Sequence, residues 1–255
     1  MFIAFVVQVV VCVLVLRWLL KKKTGEPFSK KMVARLLGFG ALSVVLCYVV
    51  SDVLSIKRDT FFDLNPILAG FLTALLTAAL LEELGKYILF RLALIKNREV
   101  ISWLDAIIAA ILVGIGFTVL EDAEFAISGD TNILRAIVPA HLLFQGIMGY
   151  YYGKARVTKK RVYDVLSLAV PILAHTFFDM FLIGMISIVG NANFAQGLTE
   201  EELVALPDWQ YVIPMLVCGI AAFLIILVAL ILMFRKIGMW SRNGEKQESL
   251  TQQDA

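Results

Sequence analysis

Residues 209–234 read WQYVIPMLVCGIAAFLIILVALILMF, a stretch with no charged side chain. About 20 mostly apolar residues are enough for an α-helix to cross the hydrocarbon core of a bilayer. Similar runs recur along the 255-residue chain, of which 60% is hydrophobic and only 17% charged. A soluble domain carries about 25% charged residues. The sequence therefore predicts an all-α, polytopic membrane helix bundle.

The hydrophobic runs define the predicted topology. Seven segments are long enough to be spans, at roughly 2–20, 36–56, 66–90, 100–127, 135–153, 164–188 and 209–234. Basic residues follow the first, third, fifth and seventh, and the loop 189–208 is acidic. Because cytoplasmic loops carry the excess of lysine and arginine, the N-terminus is predicted outside and the C-terminus in the cytoplasm. The first segment has no basic residues before its apolar stretch, so we predict a retained span rather than a signal peptide.

The domain organisation follows from the loop lengths. Residues 1–240 are predicted to form a single membrane-embedded domain, and 241–255 a polar cytoplasmic tail. Loops of about 20 residues are too short to fold as separate domains, so any chemistry must take place inside the bundle. The three cysteines lie in apolar spans and indicate no disulfide framework. The sequence shows no nucleotide-binding or nucleic-acid motif, so the lipid bilayer is a predicted partner and nucleic acid is not.

Ionisable residues interrupt the apolar spans at regular spacings. In EELGK, Glu82 and Glu83 precede Lys86 by four and three positions, which places all three near one helix face. A charged side chain at the bilayer centre costs about 2.5–3.5 kcal/mol on insertion scales, so such residues face a partner or a water-filled cavity. The chain has two histidines, His141 and His175, and both lie in predicted spans.

Two further spans repeat this four-residue spacing. Phe117 and Glu121 are four positions apart, as are His175 and Asp179. Three helices thus each present a polar stripe, and we predict that the stripes face a shared interior. Pro171 lies one turn before His175 and removes a helical hydrogen bond there, which also favours a polar cavity.

Structural roles are the alternative for each feature. Glu83 and Lys86 can form an ion pair that helps insertion, and His175 and Asp179 a hydrogen bond between successive turns. Other polar and small residues are predicted to be structural: Asp105 near the cytoplasmic edge, Asp122 and Glu124 at the outer interface, and Gly146, Gly149 and Gly153 as a packing face.

Three motifs in order carry a family resemblance. EELGK (82–86) fits EExxK, FTVLE (117–121) fits FxxxE, and HTFFD (175–179) fits HxxxD. This set resembles the PrsW family of glutamic-type intramembrane proteases, which is related to the CAAX prenyl endopeptidases. The resemblance implies a protease core at about 66–188 in a multi-pass protein of the bacterial plasma membrane. It also implies a single-pass membrane protein as substrate, typically an anti-sigma factor in envelope-stress signalling.

The resemblance also implies roles for the site residues. Glu82 is the expected general base, with Glu83 as second choice, and Lys86 keeps one glutamate ionised. Glu121 is expected to donate a proton, while His175 and Asp179 orient the water or hold the developing oxyanion. Lys86 and Glu121 stand where the CAAX enzymes have arginine and histidine, and His141 is a candidate to replace that missing histidine.

Three alternatives remain open. No cofactor is expected, but two histidines and several carboxylates are also able to bind zinc or another divalent ion, although no HExxH motif occurs. A proton-coupled transporter also uses intramembrane acids, yet the chain shows no paired halves. A non-catalytic membrane scaffold is the third alternative. Residue counting also places Glu82 and Glu121 at different depths, which leaves their direct cooperation unexplained.

Overall fold

The structure is a computed structural model that describes residues 2–23, 25–55, 57, 60–128, 138–194 and 209–243. Every regular element in these ranges is helical. The elements are α1 (Phe2–Leu20), α2 (Lys30–Leu54), α3 (Pro66–Thr73), a π-helical turn (Ala74–Ala79), α4 (Leu80–Leu94), α5 (Trp103–Ser128), α6 (Ala140–Thr158), α7 (Arg161–Phe194) and α8 (Trp209–Asn243). The predicted all-α fold is confirmed.

Six helical stretches of the described chain are long and apolar enough to cross a membrane: Ile3–Leu20, Lys30–Leu54, Pro66–Leu94, Trp103–Ser128, Arg161–Gly184 and Tyr211–Ser241. Helix α6 lies where the fifth span is predicted but is more polar, because it carries His141, Gln145, Lys154 and Arg156. The multi-pass character is therefore confirmed, while the count of seven and the orientation stay predictions. The start of the predicted fifth span, most of the acidic loop and most of the tail lie outside the described residues.

Helix α5 is the centre of the bundle. Of its apolar window 83% is buried, against 17–33% in the other five candidate spans. It packs against α1, α2 and α6, while α7 packs against α3, α6 and α8. The five less buried spans instead direct leucine, isoleucine and valine side chains outward, as lipid-facing helices do. A polar group on α5 is therefore enclosed by protein.

Glycines allow the close approach of α5 and α6. A Cβ atom on Gly149 would lie 2.6 Å from Ile107 Cα, and one on Gly153 would lie 2.9 Å from Trp103 Cα. Both obstacles are backbone atoms of α5, which cannot rotate away. The predicted packing face on α6 is thus in near-backbone contact with the central helix, as small residues permit in membrane bundles.

Polar residues near the helix ends have structural partners. Asp105 is buried, pairs with Lys23 at 3.7 Å and accepts a hydrogen bond from the Ile101 amide. Glu124 accepts a hydrogen bond from the Tyr48 hydroxyl at 2.8 Å. Asp122 differs from the expectation of an accessible interfacial acid, since it is buried. The reason is tertiary, because α1 packs along α5.

Candidate active site

Four helices bring the motif residues together. Helix α4 begins directly after the π-helical turn and carries Glu82 and Glu83 in its first turn. The other site residues lie on α4, α5, α6 and α7: Lys86, Phe117, Glu121, His141, His175 and Asp179. π-helical turns occur often at functional sites. The predicted convergence of polar stripes is present, and α6 adds a fourth helix to it.

Lys86 is the centre of this cluster. Its Nζ lies 2.8 Å from Glu83 Oε1, 3.2 Å from Glu82 Oε2 and 3.1 Å from His141 Nδ1. The same ammonium lies 3.5 Å from the centre of the Phe117 ring. A cation over an aromatic face is stabilised by the ring quadrupole, most strongly when water is excluded. Phe117 of the FxxxE motif therefore supports the lysine charge.

Glu83 accepts hydrogen bonds at both carboxylate oxygens. Oε1 faces Lys86 Nζ and His175 Nδ1, the latter at 3.1 Å. Oε2 accepts a 2.8 Å hydrogen bond from Gln145 Nε2. Gln145 is not among the predicted site residues, although it lies four residues after His141 and so on the same helix face. That spacing is the signal that would have identified it.

His141 connects Lys86 to Glu121. Its Nδ1 faces the Lys86 ammonium, which has only donors. Nδ1 must therefore accept, which leaves the ring proton on Nε2. Nε2 lies 2.9 Å from Glu121 Oε2 and donates to it. The role predicted for His141, to replace the histidine missing from the second motif, stays a prediction, and the hydrogen bond places this ring beside the glutamate of that motif.

His175 has a different environment from His141. Its Nδ1 faces Glu83 Oε1 and its Nε2 faces Asp179 Oδ2, both at 3.1 Å. Ionised carboxylates only accept, so the ring bonds to both when both nitrogens carry a proton. The ring also stacks on Phe144, with centroids 4.9 Å apart and planes 20° apart. His175 is therefore fixed in position by contacts on three sides.

The cluster has a closed side and an accessible side. The side chains of Glu83 and Lys86 have no exposed surface, and that of His175 is buried. Glu82 has 15% of its side-chain surface exposed and Asp179 27%. Glu121 and His141 are slightly exposed. Glu82 and Asp179 therefore present surface outside the network, and Glu83 does not.

All seven predicted site residues belong to one connected network. The apparent difference in depth between Glu82 and Glu121 is bridged, because Lys86 Nζ and the His141 ring span the distance between them. The structural alternatives are present at the same time, since Glu83 pairs with Lys86 and His175 with Asp179. The formation of these pairs does not prevent the same residues from taking part in catalysis.

One set of donors in the network matches a divalent metal ion in chemistry. Ligand atoms of Glu82, Glu83, His141 and His175 lie within 4.8 Å of one another, and imidazole nitrogens with carboxylate oxygens are zinc ligands. The Lys86 ammonium, however, contacts three of the four residues. A metal ion bound by these ligands would lie close to the fully buried ammonium of Lys86 and would be repelled by it. The donor set does not fit a metal while Lys86 holds this position.

Paired carboxylates, an ammonium and two imidazoles lie together among helices that are mostly long and apolar enough to cross a membrane, and such groups can carry out the acid–base chemistry of an intramembrane hydrolase. The sequence model of the family described as PrsW family intramembrane metalloprotease matches residues 28–199. The chain belongs to the PrsW family of intramembrane proteases. It is a multi-pass protein of a bacterial membrane, and its family acts on membrane proteins within the bilayer.

Individual relatives agree with the family match. Protease PrsW of Geobacillus kaustophilus is 32% identical over 165 residues, which are 62% of this chain and 69% of the relative. Protease PrsW of Oceanobacillus iheyensis is 30% identical over 174 residues, 66% of this chain and 77% of the relative. The Na(+)/H(+) antiporter NhaA of Wolinella succinogenes is 25% identical over 111 residues, 42% of this chain and 25% of the antiporter. No solved structure matches the chain.

Proposed function

We propose that the chain hydrolyses peptide bonds by a glutamic mechanism in which Glu82 is the general base. The observation that supports this role is the contrast between neighbouring glutamates. Glu83 is fully buried and uses both oxygens to accept hydrogen bonds. Glu82 is partly exposed, and Lys86 binds its Oε2. A base must lie within hydrogen-bond reach of the water that it deprotonates, and Glu82 meets this requirement.

The proposed reaction uses the accessible side of the network. Glu82 takes a proton from a water molecule, whose oxygen forms a bond to the scissile carbonyl carbon. The π electrons of the carbonyl move to its oxygen as that bond forms, and the C–N bond breaks when they return. Protonated Glu121 supplies the proton that the leaving amine requires, while His141 holds its other oxygen. Glu82 then releases its proton to water and Glu121 regains one. Asp179, fixed by His175, orients the water.

Lys86 supplies the positive charge in this proposal. Its side chain has no exposed surface and its three donors face Glu82, Glu83 and His141, so in this proposal it acts through space without touching the substrate. Preorganised charge in a site that excludes water lowers the energy of the negative charge that develops on the carbonyl oxygen. The ammonium is held at three points and over the Phe117 ring, so it needs no reorganisation during the reaction. The expected role of Lys86, to keep a carboxylate ionised, is compatible with this contribution.

The substrate that we propose is a single-pass membrane protein, in particular an anti-sigma factor cleaved in envelope-stress signalling. This proposal rests on the PrsW resemblance and on the location of the site inside the bundle. Membrane proteomes of cells producing the wild type and the Glu82→Gln variant provide the test. An anti-sigma factor should be intact with the variant and shortened with the wild type. If the shortened proteins include no anti-sigma factor, this substrate is wrong.

The similarity to an antiporter supports the transporter alternative, but the matched region covers only a quarter of the antiporter. The two functions are separable by experiment. Purified protein in detergent is incubated with a panel of synthetic single-span peptides that carry a fluorophore and a quencher. Protein in vesicles is tested for proton flux driven by a sodium gradient. Peptide cleavage without sodium-dependent flux is the expected result, and flux without cleavage would favour the transporter.

The role of Glu82 is tested with a near-isosteric variant. Glu82→Gln removes the ability to accept a proton and should lower kcat by about 10²–10⁴-fold, the contribution of general acid–base catalysis. Glu124→Gln is the matched control, because Glu124 binds Tyr48 away from the network. If Glu82→Gln cleaves at the rate of the control, Glu82 is not the base.

A further inference from the structure

Gln145 is a buried side chain of the network that has no role in the proposed reaction. It has no exposed surface, and its Nε2 donates to Glu83 Oε2 at 2.8 Å. Its Oε1 is also buried and has no hydrogen-bond partner among the described residues. A buried amide oxygen without a hydrogen-bond partner destabilises the folded state. A leucine or methionine would avoid this cost, so the amide calls for a functional explanation.

The packing around Gln145 leaves it little freedom. Gly114 of α5 lies against it, and a Cβ atom at position 114 would be 2.8 Å from Gln145 Cγ and 3.1 Å from its Cβ. The glutamine is thus accommodated by the absence of a side chain on the central helix. Its amide donates to a carboxylate on a different helix, α4.

The contact with Gln145 constrains the carboxylate of Glu83. Because an amide N–H and an ammonium only donate, Glu83 Oε2 accepts a hydrogen bond from Gln145, and Glu83 Oε1 accepts one from Lys86. Both oxygens are thereby held in acceptor positions, and the carboxylate plane is fixed. Oε1 also contacts His175 Nδ1. The orientation of the His175 ring, and through it that of Asp179, therefore depends on how Glu83 is held.

We propose that Gln145 is a positioning residue: it fixes Glu83, and through Glu83 it keeps Lys86 and His175 in the arrangement that Glu82 and Asp179 need for catalysis. Only the kinetic part of this inference rests on the proposed function. Partners of this indirect kind typically change activity by about 10–100-fold when they are removed. Gln145 makes no proton transfer of its own in this proposal.

The chain allows a test that does not depend on any substrate. Because it has two histidines, protein labelled with ¹⁵N-histidine in detergent gives ring signals from two residues, and His141→Gln assigns them. Gln145→Met has a similar length but no donor. We expect it to shift the His175 ring-nitrogen signals, since the Glu83 carboxylate is then held only at Oε1, the oxygen that contacts His175. The control is Gln8→Met, which alters another buried glutamine, on α1, and should leave both histidines unchanged.

A second variant keeps the test decisive if Gln145→Met does not fold. Gln145→Asn retains the amide but is shorter by one C–C bond, about 1.5 Å, and no longer reaches Glu83. It should shift the same His175 signals. Wild-type His175 signals in whichever variants fold would overturn the proposal.

The kinetic measurement separates positioning from general destabilisation. With a fluorogenic single-span peptide, both Gln145 variants should lower kcat by about 10–100-fold and leave KM within about twofold. The temperature of thermal unfolding should stay close to that of the wild type. A fall in kcat that merely follows a fall in unfolding temperature, with His175 signals unchanged, would make Gln145 structural and contradict the inference. If Glu82→Gln stays active while the His175 signals shift, the proposed base fails and the positioning contact stands.

Discussion

Replacing Lys86 by methionine tests whether its ammonium is the cation of the site. The variant keeps a long unbranched side chain and removes a charge that lies 2.8 Å from Glu83 and 3.2 Å from Glu82. Loss of one partner from a buried ion pair costs about 3–5 kcal/mol, because the other charge stays buried without compensation. The Phe117 contact adds about 2 kcal/mol when it is fully desolvated. We therefore expect the free energy of unfolding to fall by at least about 3 kcal/mol.

The same change should also turn the cluster into a metal site. Without the ammonium, the ligand atoms of Glu82, Glu83, His141 and His175 remain within 4.8 Å of one another. Zinc binding to the folded state would then restore stability, because a ligand that binds only the folded state shifts unfolding by mass action. We expect Lys86→Met to bind about one zinc ion with the donor set that zinc prefers. It should remain inactive if the ammonium is required for hydrolysis.

Unfolding in mixed micelles of dodecyl maltoside and sodium dodecyl sulfate, followed by circular dichroism, measures the stability with and without zinc. Metal content is measured by mass spectrometry after gel filtration. Lys31→Met is the control, since this exposed lysine on α2 should change stability by no more than about 0.5 kcal/mol. The reasoning is refuted if Lys86→Met is as stable as this control and gains no zinc.

Topology and helix packing give two further predictions. A single cysteine at position 158 of a cysteine-free variant should resist an impermeant maleimide in intact cells and react after lysis, because basic loops stay in the cytoplasm. Labelling in intact cells would show that the orientation is opposite to the predicted one. Gly149→Ala places a methyl group 2.6 Å from the Ile107 Cα and should lower stability by about 1–3 kcal/mol. Gly38→Ala, which meets no atom within 4 Å, is its control, and equal stability of the two would contradict the packing argument.

Contacts within one helix were predictable from spacing alone. Glu83 and Lys86 are three residues apart and His175 and Asp179 four, and both pairs form. Helical geometry brings such neighbours together whatever the tertiary structure. The all-helical fold and its multi-pass character follow from the apolar runs for the same reason, since backbone polar groups in lipid must be satisfied within a helix.

Contacts between helices were not predictable from the sequence. His141 binds Glu121 because α6 packs closely on α5. Gln145 binds Glu83 because the same packing brings its side chain within reach of α4. That register is set by packing of many side chains, which residue spacing does not encode. The burial of Asp122 has the same origin. Gln145 was missed because a neutral amide gives no charge signal in an apolar span.

We propose that a buried ammonium, and not a metal ion, accompanies Glu82 in peptide hydrolysis. The most direct measurement is the cleavage rate of a fluorogenic single-span peptide by purified wild-type protein, before and after stripping with phenanthroline, with zinc content measured on the same samples. Our account predicts an unchanged rate and no stoichiometric zinc. A rate that is lost on stripping and recovers with added zinc, together with loss of a bound ion in His175→Ala, would contradict it.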